Sequence, residues 1–437
     1  MSMITYKVNC ATDNKMFPLY NHQKIIIDEN KLWTGLWLGT GSAKTRTALE
    51  MAEGDILVIC PKQQFLDSTW QKNADKFDIK KKITCISKET FRRDWETLPK
   101  FGTVIIDEAH NNFGVYPEMR QRNKIQIPKT SQIFEATLMY LRKNPPKRLY
   151  LCSATPVSKP MNMWAAAKLF GTDWDFVKFR DAFYFPRTMG RRQIWLPRTD
   201  DKTKQRLALL VQRFGYTGSL NDFFDVPEQT HKEVEIDLTD SQIEAIKELH
   251  QTEADPLVVR GRERSIANGV LYGKKIEIIS DTEEQMSKDT ILFPTRKMDY
   301  ILERAIEFPK LLIFAFYTAQ INEIARILRE EGYTVHTLTG ATKDRTFIEK
   351  VDQSDKPCII VAQSSISEGY ELPSFPCVIY ASKSWRYVHY DQSLGRVLRS
   401  NKLKKNLYIH LLVKGADMDC HESMMAGVDF QEKLSVL

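Results

Sequence analysis

No run of about 18 consecutive apolar residues occurs in this chain, so no segment suits a membrane-spanning helix. The stretch from Met1 to Asn14 is polar and lacks the apolar core of a secretory signal. The seven cysteines, Cys10, Cys60, Cys85, Cys152, Cys358, Cys377 and Cys420, are odd in number, and no two form a Cys-x-x-Cys pair. That argues against a disulfide framework and against a zinc cluster. Several lie inside apolar runs, such as Val58-Ile59-Cys60 and Leu149-Tyr150-Leu151-Cys152, where they read as buried reduced thiols. These absences together point to a reducing, cytoplasmic setting. No internal period of about 20–50 residues recurs, which excludes a repeat solenoid.

What is present fits an ordered globular chain. Its 437 residues exceed one ordinary core, so two domains and a connection are expected. Apolar residues make up 42% and aromatics 11%, too much for a disordered chain. The formal net charge of +7 is compatible with a polyanionic partner and equally with a solvated basic surface.

The organising stretch is Leu36-Trp37-Leu38-Gly39-Thr40-Gly41-Ser42-Ala43-Lys44-Thr45, running into Arg46-Thr47-Ala48-Leu49. An apolar run, a Gly-rich turn, then Lys-Thr opening a helical segment is the order that a phosphate-binding loop requires. Backbone N–H groups face the phosphates, the lysine reaches their outer oxygens and the threonine hydroxyl holds Mg²⁺. Leu38 and Ala43 stand where the general pattern has glycine, so an ordinary strand–turn–helix corner is the competing reading.

Upstream, Pro18 suits a helix start, and Gln23 is either an amide that reads an adenine edge or an exposed helical glutamine. Downstream, Ile56-Leu57-Val58-Ile59-Cys60 is a continuous apolar run stopped by Pro61, as in a strand buried on both faces of a parallel sheet. Thr103-Val104-Ile105-Ile106 leads into Asp107-Glu108-Ala109-His110, about sixty residues past the loop. At the C-terminal end of a strand, Asp107 suits Mg²⁺, and Glu108 suits orienting a water toward a γ-phosphate. Arg148 to Cys152 is another strand, ending in Ser153-Ala154-Thr155-Pro156, which is either a coupling motif or a simple turn.

From Met161 the chain is aromatic-rich and helical in pattern, with a basic stretch from Gly190-Arg191-Arg192 to Arg213 that suits either nucleic acid or solvent. Near Arg296 a second α/β pattern begins, with strands expected at Lys310 to Phe316 and Cys358 to Ala362. Its Gln392, Arg396 and Arg399 are spaced as one stripe of a helix, which suits arginines that stabilise phosphoryl-transfer charge.

In this order the motifs resemble the superfamily 2 helicases and translocases over nearly the whole chain. Leu57-Val58-Ile59-Cys60-Pro61 with Trp70, Ala154-Thr155-Pro156-Val157 with Met163-Trp164, Leu338-Thr339-Gly340-Ala341-Thr342, and Ser384-Trp385 look like the Swi/Snf-type motors. Ser393-Leu394-Gly395-Arg396-Val397-Leu398-Arg399 looks like small phage-encoded branch-migration helicases. The resemblance implies an α/β fold of two RecA-like parallel-sheet lobes with a helical extension and connector between them. Its boundaries are expected at 1–165, 166–295 and 296–437.

The resemblance further implies ATP and Mg²⁺ as cofactors and DNA, duplex or branched, as the partner. Carried over residue by residue, it assigns Gln23 to adenine, Gly39 to Thr45 to the phosphates, and Thr45 and Asp107 to the metal. Lys44, Asp107, Glu108, Gln392, Arg396 and Arg399 take the catalytic roles. Nucleic-acid backbone contacts are expected at Pro61, Lys62, Ser87, Lys88, Thr339, Gly340, Ser364 and Ser365. Ala43 departs from the pattern, and its methyl is expected to weaken ATP binding. An RNA helicase, or a nucleotide-dependent scaffold that binds DNA without turnover, are the alternatives.

Overall fold

The computed structural model describes residues 17–122, 124–157, 159–189, 192–273, 278–280, 283–284, 290–342, 344–366, 370–398 and 405–425. The chain divides into two compact units, Met1–Asp225 and Val226–Leu437.

The first unit contains β1 (Trp33–Leu38), β2 (Ile56–Cys60), β3 (Ile83–Ser87), β4 (Thr103–Ile106), β5 (Val115–Arg122), β6 (Ile125–Thr130), β7 (Arg148–Cys152), β8 (Tyr184–Met189), β9 (Arg192–Pro197) and β10 (Gly215–Gly218). Six of these form one sheet in the order β10-β1-β7-β4-β2-β3. Every neighbouring pair in it is parallel. The composition explains why. β2 is an uninterrupted apolar run, β4 and β7 are apolar after Thr103 and Arg148, and every residue of the three is buried, so both faces of the sheet are covered. Burying each such Val, Ile or Leu side chain contributes roughly 1.5–3 kcal/mol. Parallel strands need crossover helices, and two of these begin on serine caps: Ser87 accepts from Thr90 N, and Ser131 accepts from Phe134 N. β5–β6 and β8–β9 are separate antiparallel hairpins.

The second unit contains β11 (Thr230–Glu235), β12 (Val270–Leu271), β13 (Ile278–Ser280), β14 (Glu283–Glu284), β15 (Ile291–Leu292), β16 (Lys310–Ala315), β17 (Val335–Leu338), β18 (Cys358–Gln363), β19 (Cys377–Tyr380) and β20 (Leu407–Leu412). Its six-stranded sheet, β11-β20-β19-β16-β18-β17, is again parallel throughout. The two sheets are the RecA-like α/β pair that the motif order implies.

The segment 166–295 supplies an edge strand to each sheet, β10 to the first and β11 to the second. Its aromatics are mostly packing groups. Phe176, Phe179, Phe183 and Tyr184 are buried in the first unit's core, with Trp174 stacked on Phe179 at 5.7 Å. The helical pattern stops at Phe183, beyond which the chain forms the β8–β9 hairpin. Of the basic tripeptide, Gly190 and Arg191 lie outside the described residues.

Candidate nucleotide site

Three adjacent strands of the first sheet, β1, β7 and β4, end in the phosphate loop, in Ser153 and in Asp107 respectively. Chain segments leaving the carboxyl ends of parallel strands line the crevice where such sheets bind ligands.

The loop between β1 and the helix Lys44–Met51 is held from several sides. Gly39 N donates to Gly218 O at 2.7 Å, and a Cβ at Gly39 would lie 3.2 Å from Ser219 Cα, so the chain just past β10 approaches the loop closely there. Gly41 has φ 83°, which favours glycine. Ala43 has φ 62° and ψ 32°, the left-handed region, directly before the helix. Beyond its methyl, the Ala43 backbone is held where an L-residue costs roughly 1–2 kcal/mol.

Lys44 Nζ donates to Leu38 O at 2.6 Å and to Gly39 O at 3.0 Å, so the ammonium is folded over the loop it belongs to. Thr45 is half-buried in the first helical turn. There the leading N–H groups of a helix lack intrahelical partners and suit phosphate oxygens.

Asp107 is buried, with Oδ1 accepting from Glu108 N at 2.9 Å and Oδ2 from Trp70 Nε1 at 3.2 Å. Burial pushes its carboxyl above the usual range, against the pull of the Glu108 N–H, the Lys44 ammonium and the Trp70 N–H. A desolvated carboxylate facing a phosphate loop is the donor that a small divalent cation favours, and Thr45 supplies a second oxygen. Thr45 and Asp107 therefore fit Mg²⁺. Glu108 has φ 45°, so the chain turns sharply and carries its carboxylate to within 3.4 Å of His110 Nδ1.

Gln23 is fully buried, which excludes an exposed helical glutamine. Its Oε1 accepts from Tyr20 N at 3.0 Å and its Nε2 donates to Thr47 Oγ1 at 3.2 Å, tying the Asn21–Glu29 helix to the one behind the loop. Next to it, His22 donates from Nε2 to Ser42 O at 3.0 Å and stacks on Phe223 at 4.0 Å. Burial lowers the His22 pKa, which keeps the ring neutral with its proton on the nitrogen facing the carbonyl. Sequence reasoning missed His22, because its partner ring stands two hundred residues away (Phe223 minus His22 is 201).

Pro61 and Lys62 follow β2, and Ser87 ends β3 with Lys88 next to it, so both expected backbone contacts lie at the same strand ends as the loop. Lys62 is exposed, whereas Ser87 is a buried helix cap. In the second unit, Thr339 and Gly340 follow β17 and Ser364 and Ser365 follow β18. Gly340 N donates to Gln363 Oε1 at 3.4 Å, bringing the two strand ends together. Among the described residues, the buried hydroxyls of Ser364 and Ser365 have no hydrogen-bond partner.

The expected helical stripe of Gln392, Arg396 and Arg399 needs correction. The helix is Tyr387–Leu394 and Gly395 caps it, so Arg396 lies beyond its end. From there Arg396 Nε donates to Gln392 O and Nη1 to Tyr370 O, both at 2.9 Å. Gln392 is buried, and Arg399 lies outside the described residues.

Residues 295–401 match the helicase conserved C-terminal domain. A protein named "Putative helicase 22", from Sulfolobus islandicus filamentous virus (isolate Iceland/Hveragerdi), is 24% identical over 115 residues, 26% of this chain and 21% of that protein. The chain thus matches about a fifth of that relative's length. Among solved structures, the Sulfolobus solfataricus SWI2/SNF2 ATPase core in complex with dsDNA is similar at 18% identity, covering 94% of this chain and 92% of that one with a TM-score of 0.40. No described helix is long and apolar enough to cross a membrane.

Proposed function

We infer that this chain, a superfamily 2 helicase or translocase by its motif order and its helicase conserved C-terminal domain, is an ATP-driven motor on DNA that remodels branched substrates. One observation carries the ATPase reading: the phosphate loop, Ser153 and the Asp107–Glu108 pair end three adjacent strands of one parallel sheet.

In this reading Lys44 exchanges its carbonyl partners for phosphate oxygens, and the backbone of Gly39 to Thr45 wraps the same group. Thr45 and Asp107 hold Mg²⁺, which when bound neutralises charge on the phosphate oxygens. Glu108 orients water. Gln23 is proposed for adenine, at the cost of exchanging its Tyr20 and Thr47 bonds. Gln392, Arg396 and Arg399 are the proposed charge-stabilising residues of the second unit. Pro61, Lys62, Ser87, Lys88, Thr339, Gly340, Ser364 and Ser365 are proposed to meet the nucleic-acid backbone. The orphan hydroxyls of Ser364 and Ser365 support that role, because buried polar groups without partners are costly unless something else satisfies them.

The Swi/Snf-like motif wording favours DNA over RNA. The wording of Ser393 to Arg399 favours branch migration, in which pairs lost are replaced by pairs formed. Side-by-side assays on a movable four-way DNA junction and a tailed RNA duplex test this. Movement of the junction is expected, and activity confined to RNA overturns the substrate.

A further inference from the structure

The β5–β6 hairpin is not used by any of the motor motifs. It leaves the sheet directly after Asp107-Glu108-Ala109-His110 at the C-terminal end of β4 and returns through Ser131 into the helix Gln132–Lys143. It therefore projects from the sheet edge that carries the phosphate loop. Its base is fixed: Ser131 N donates to Gly114 O at 2.6 Å, and Glu135 Oε1 accepts from Arg120 on one strand and from Thr130 Oγ1, at 2.5 Å, on the other. With two strands alone it would be only marginally stable, and it is steadied by this clamp together with Val115, buried in the first unit's core, and Met119, packed against it.

Beyond the clamp the composition is one-sided. Residues 115–130 hold four cations, Arg120, Arg122, Lys124 and Lys129, against one acid, Glu118. Arg120 is neutralised by Glu135. Arg122, Lys124 and Lys129 are exposed and, among the described residues, have no carboxylate within ion-pair reach. At the tip, beside Lys124, Ile125 is 65% exposed, and Lys129 lies 5.2 Å from the ring of the exposed Tyr116. Pro117 and Pro128 interrupt the strands' outer hydrogen-bonding groups, so backbone pairing with another strand is disfavoured and recognition falls to the side chains. Cations flanking an exposed aliphatic tip match the way proteins grip phosphates and press an apolar wedge against a base step.

We propose that the β5–β6 hairpin is a nucleic-acid finger, with Arg122, Lys124 and Lys129 on phosphates and Ile125 against the terminal base pair where two strands part. The proposal rests on the motor reading above for its choice of a DNA fork, and the test separates the two.

The full chain is titrated with a fluorescent forked DNA between about 50 and 200 mM salt, as wild type and as the Arg122→Glu/Lys124→Glu/Lys129→Glu variant. Each phosphate contact contributes about 0.9 to the slope of log affinity against log salt. The slope of the variant should therefore be shallower by about 2–3, with DNA-free ATPase and melting temperature unchanged. Ile125→Ala, which removes no charge, should keep the slope. It should lose the fluorescence rise of a 2-aminopurine placed at the fork's last base pair. A wild type that binds steeply while the triple variant keeps the same slope overturns the finger and leaves the motor reading intact. So does an Ile125→Ala variant that opens the base pair normally, and this second variant decides the matter if the triple one does not fold. A wild type that binds no fork at all overturns both.

Discussion

His110 Nδ1 lies 2.9 Å from the hydroxyl of Ser153, joining the end of β4 to the end of β7. The same hydroxyl accepts from Thr155 N at 3.1 Å, and the same imidazole nitrogen is 3.4 Å from Glu108 Oε2. One serine thus connects the turn after β7 to the carboxylate proposed to orient water. Ser153→Ala removes the connection without touching Lys44 or Asp107. Nucleotide affinity and the DNA-free rate should stay within a few-fold of wild type, while stimulation by DNA falls by at least about tenfold. Steady-state ATPase with and without DNA checks this, and undiminished stimulation would show that the bond is only packing.

Ala43 offers a test in which stability and function move together. With φ at 62°, replacing it by glycine relieves a left-handed alanine, so Ala43→Gly should stabilise the first unit by about 1 kcal/mol. It should also tighten ATP binding by letting the backbone approach the phosphates. Urea melts and nucleotide titration measure the two effects. Loss of affinity would mean that the loop is adapted to its alanine.

Arg396 and Arg399 should separate by readout. Arg396 clamps two backbone carbonyls, those of Gln392 and Tyr370, so Arg396→Ala leaves buried acceptors unsatisfied at about 1–3 kcal/mol each. It should lower both thermal stability and turnover. Arg399→Ala should cut hydrolysis by about 10³ or more with melting unchanged, the scale of an arginine acting on transferring phosphate. Equal melting temperatures for the Arg396 variant and the wild type would contradict the clamp.

The strand ends that carry the first candidate site are legible in the residue pattern. Apolar runs bounded by Gly, Pro or Asp mark buried parallel strands whatever their neighbours, which is why the loop, Asp107 and Ser153 could be placed at strand ends. What could not be read depends on partners distant in sequence. β10 completes the first sheet through Gly39 and Gly218, and a four-residue strand with two glycines carries no apolar pattern. The hairpin 115–130 carries little apolar alternation because much of its hold is polar, through Glu135 to Arg120 and Thr130. The stripe of Gln392, Arg396 and Arg399 misled because spacing alone does not reveal that Gly395 caps the helix.

Lys383 gives the second unit a dependence on pH. It is buried with its Nζ 2.7 Å from His421 Nδ1, whose Nε2 is 2.8 Å from Glu233 Oε1. Burial pushes its ammonium down to about 7, against the pull of Asp417 and with the help of Lys297 and Arg264. Between that value and the ordinary lysine pKa near 10.4, the unfolded chain binds more protons than the folded one, so this lysine's contribution to stability rises with pH across that window. Below about 7 its full cost is present. Going from pH 7 to 9, the wild type should gain on Lys383→Met by up to about 2 kcal/mol in urea melts, at about 1.4 kcal/mol per unit. A difference that stays flat or moves the other way would contradict a buried, depressed lysine.

Lys44, Asp107 and Glu108 are proposed above as an ATPase site that DNA switches on. The measurement that reaches it most directly is phosphate release from ATP with and without forked DNA, for the wild type, Lys44→Ala and Glu108→Gln. Stimulation by DNA is expected in the wild type, loss of nucleotide binding in Lys44→Ala, and retained binding without hydrolysis in Glu108→Gln. Wild-type turnover that DNA leaves unchanged, or stimulated turnover that survives either substitution, would contradict it.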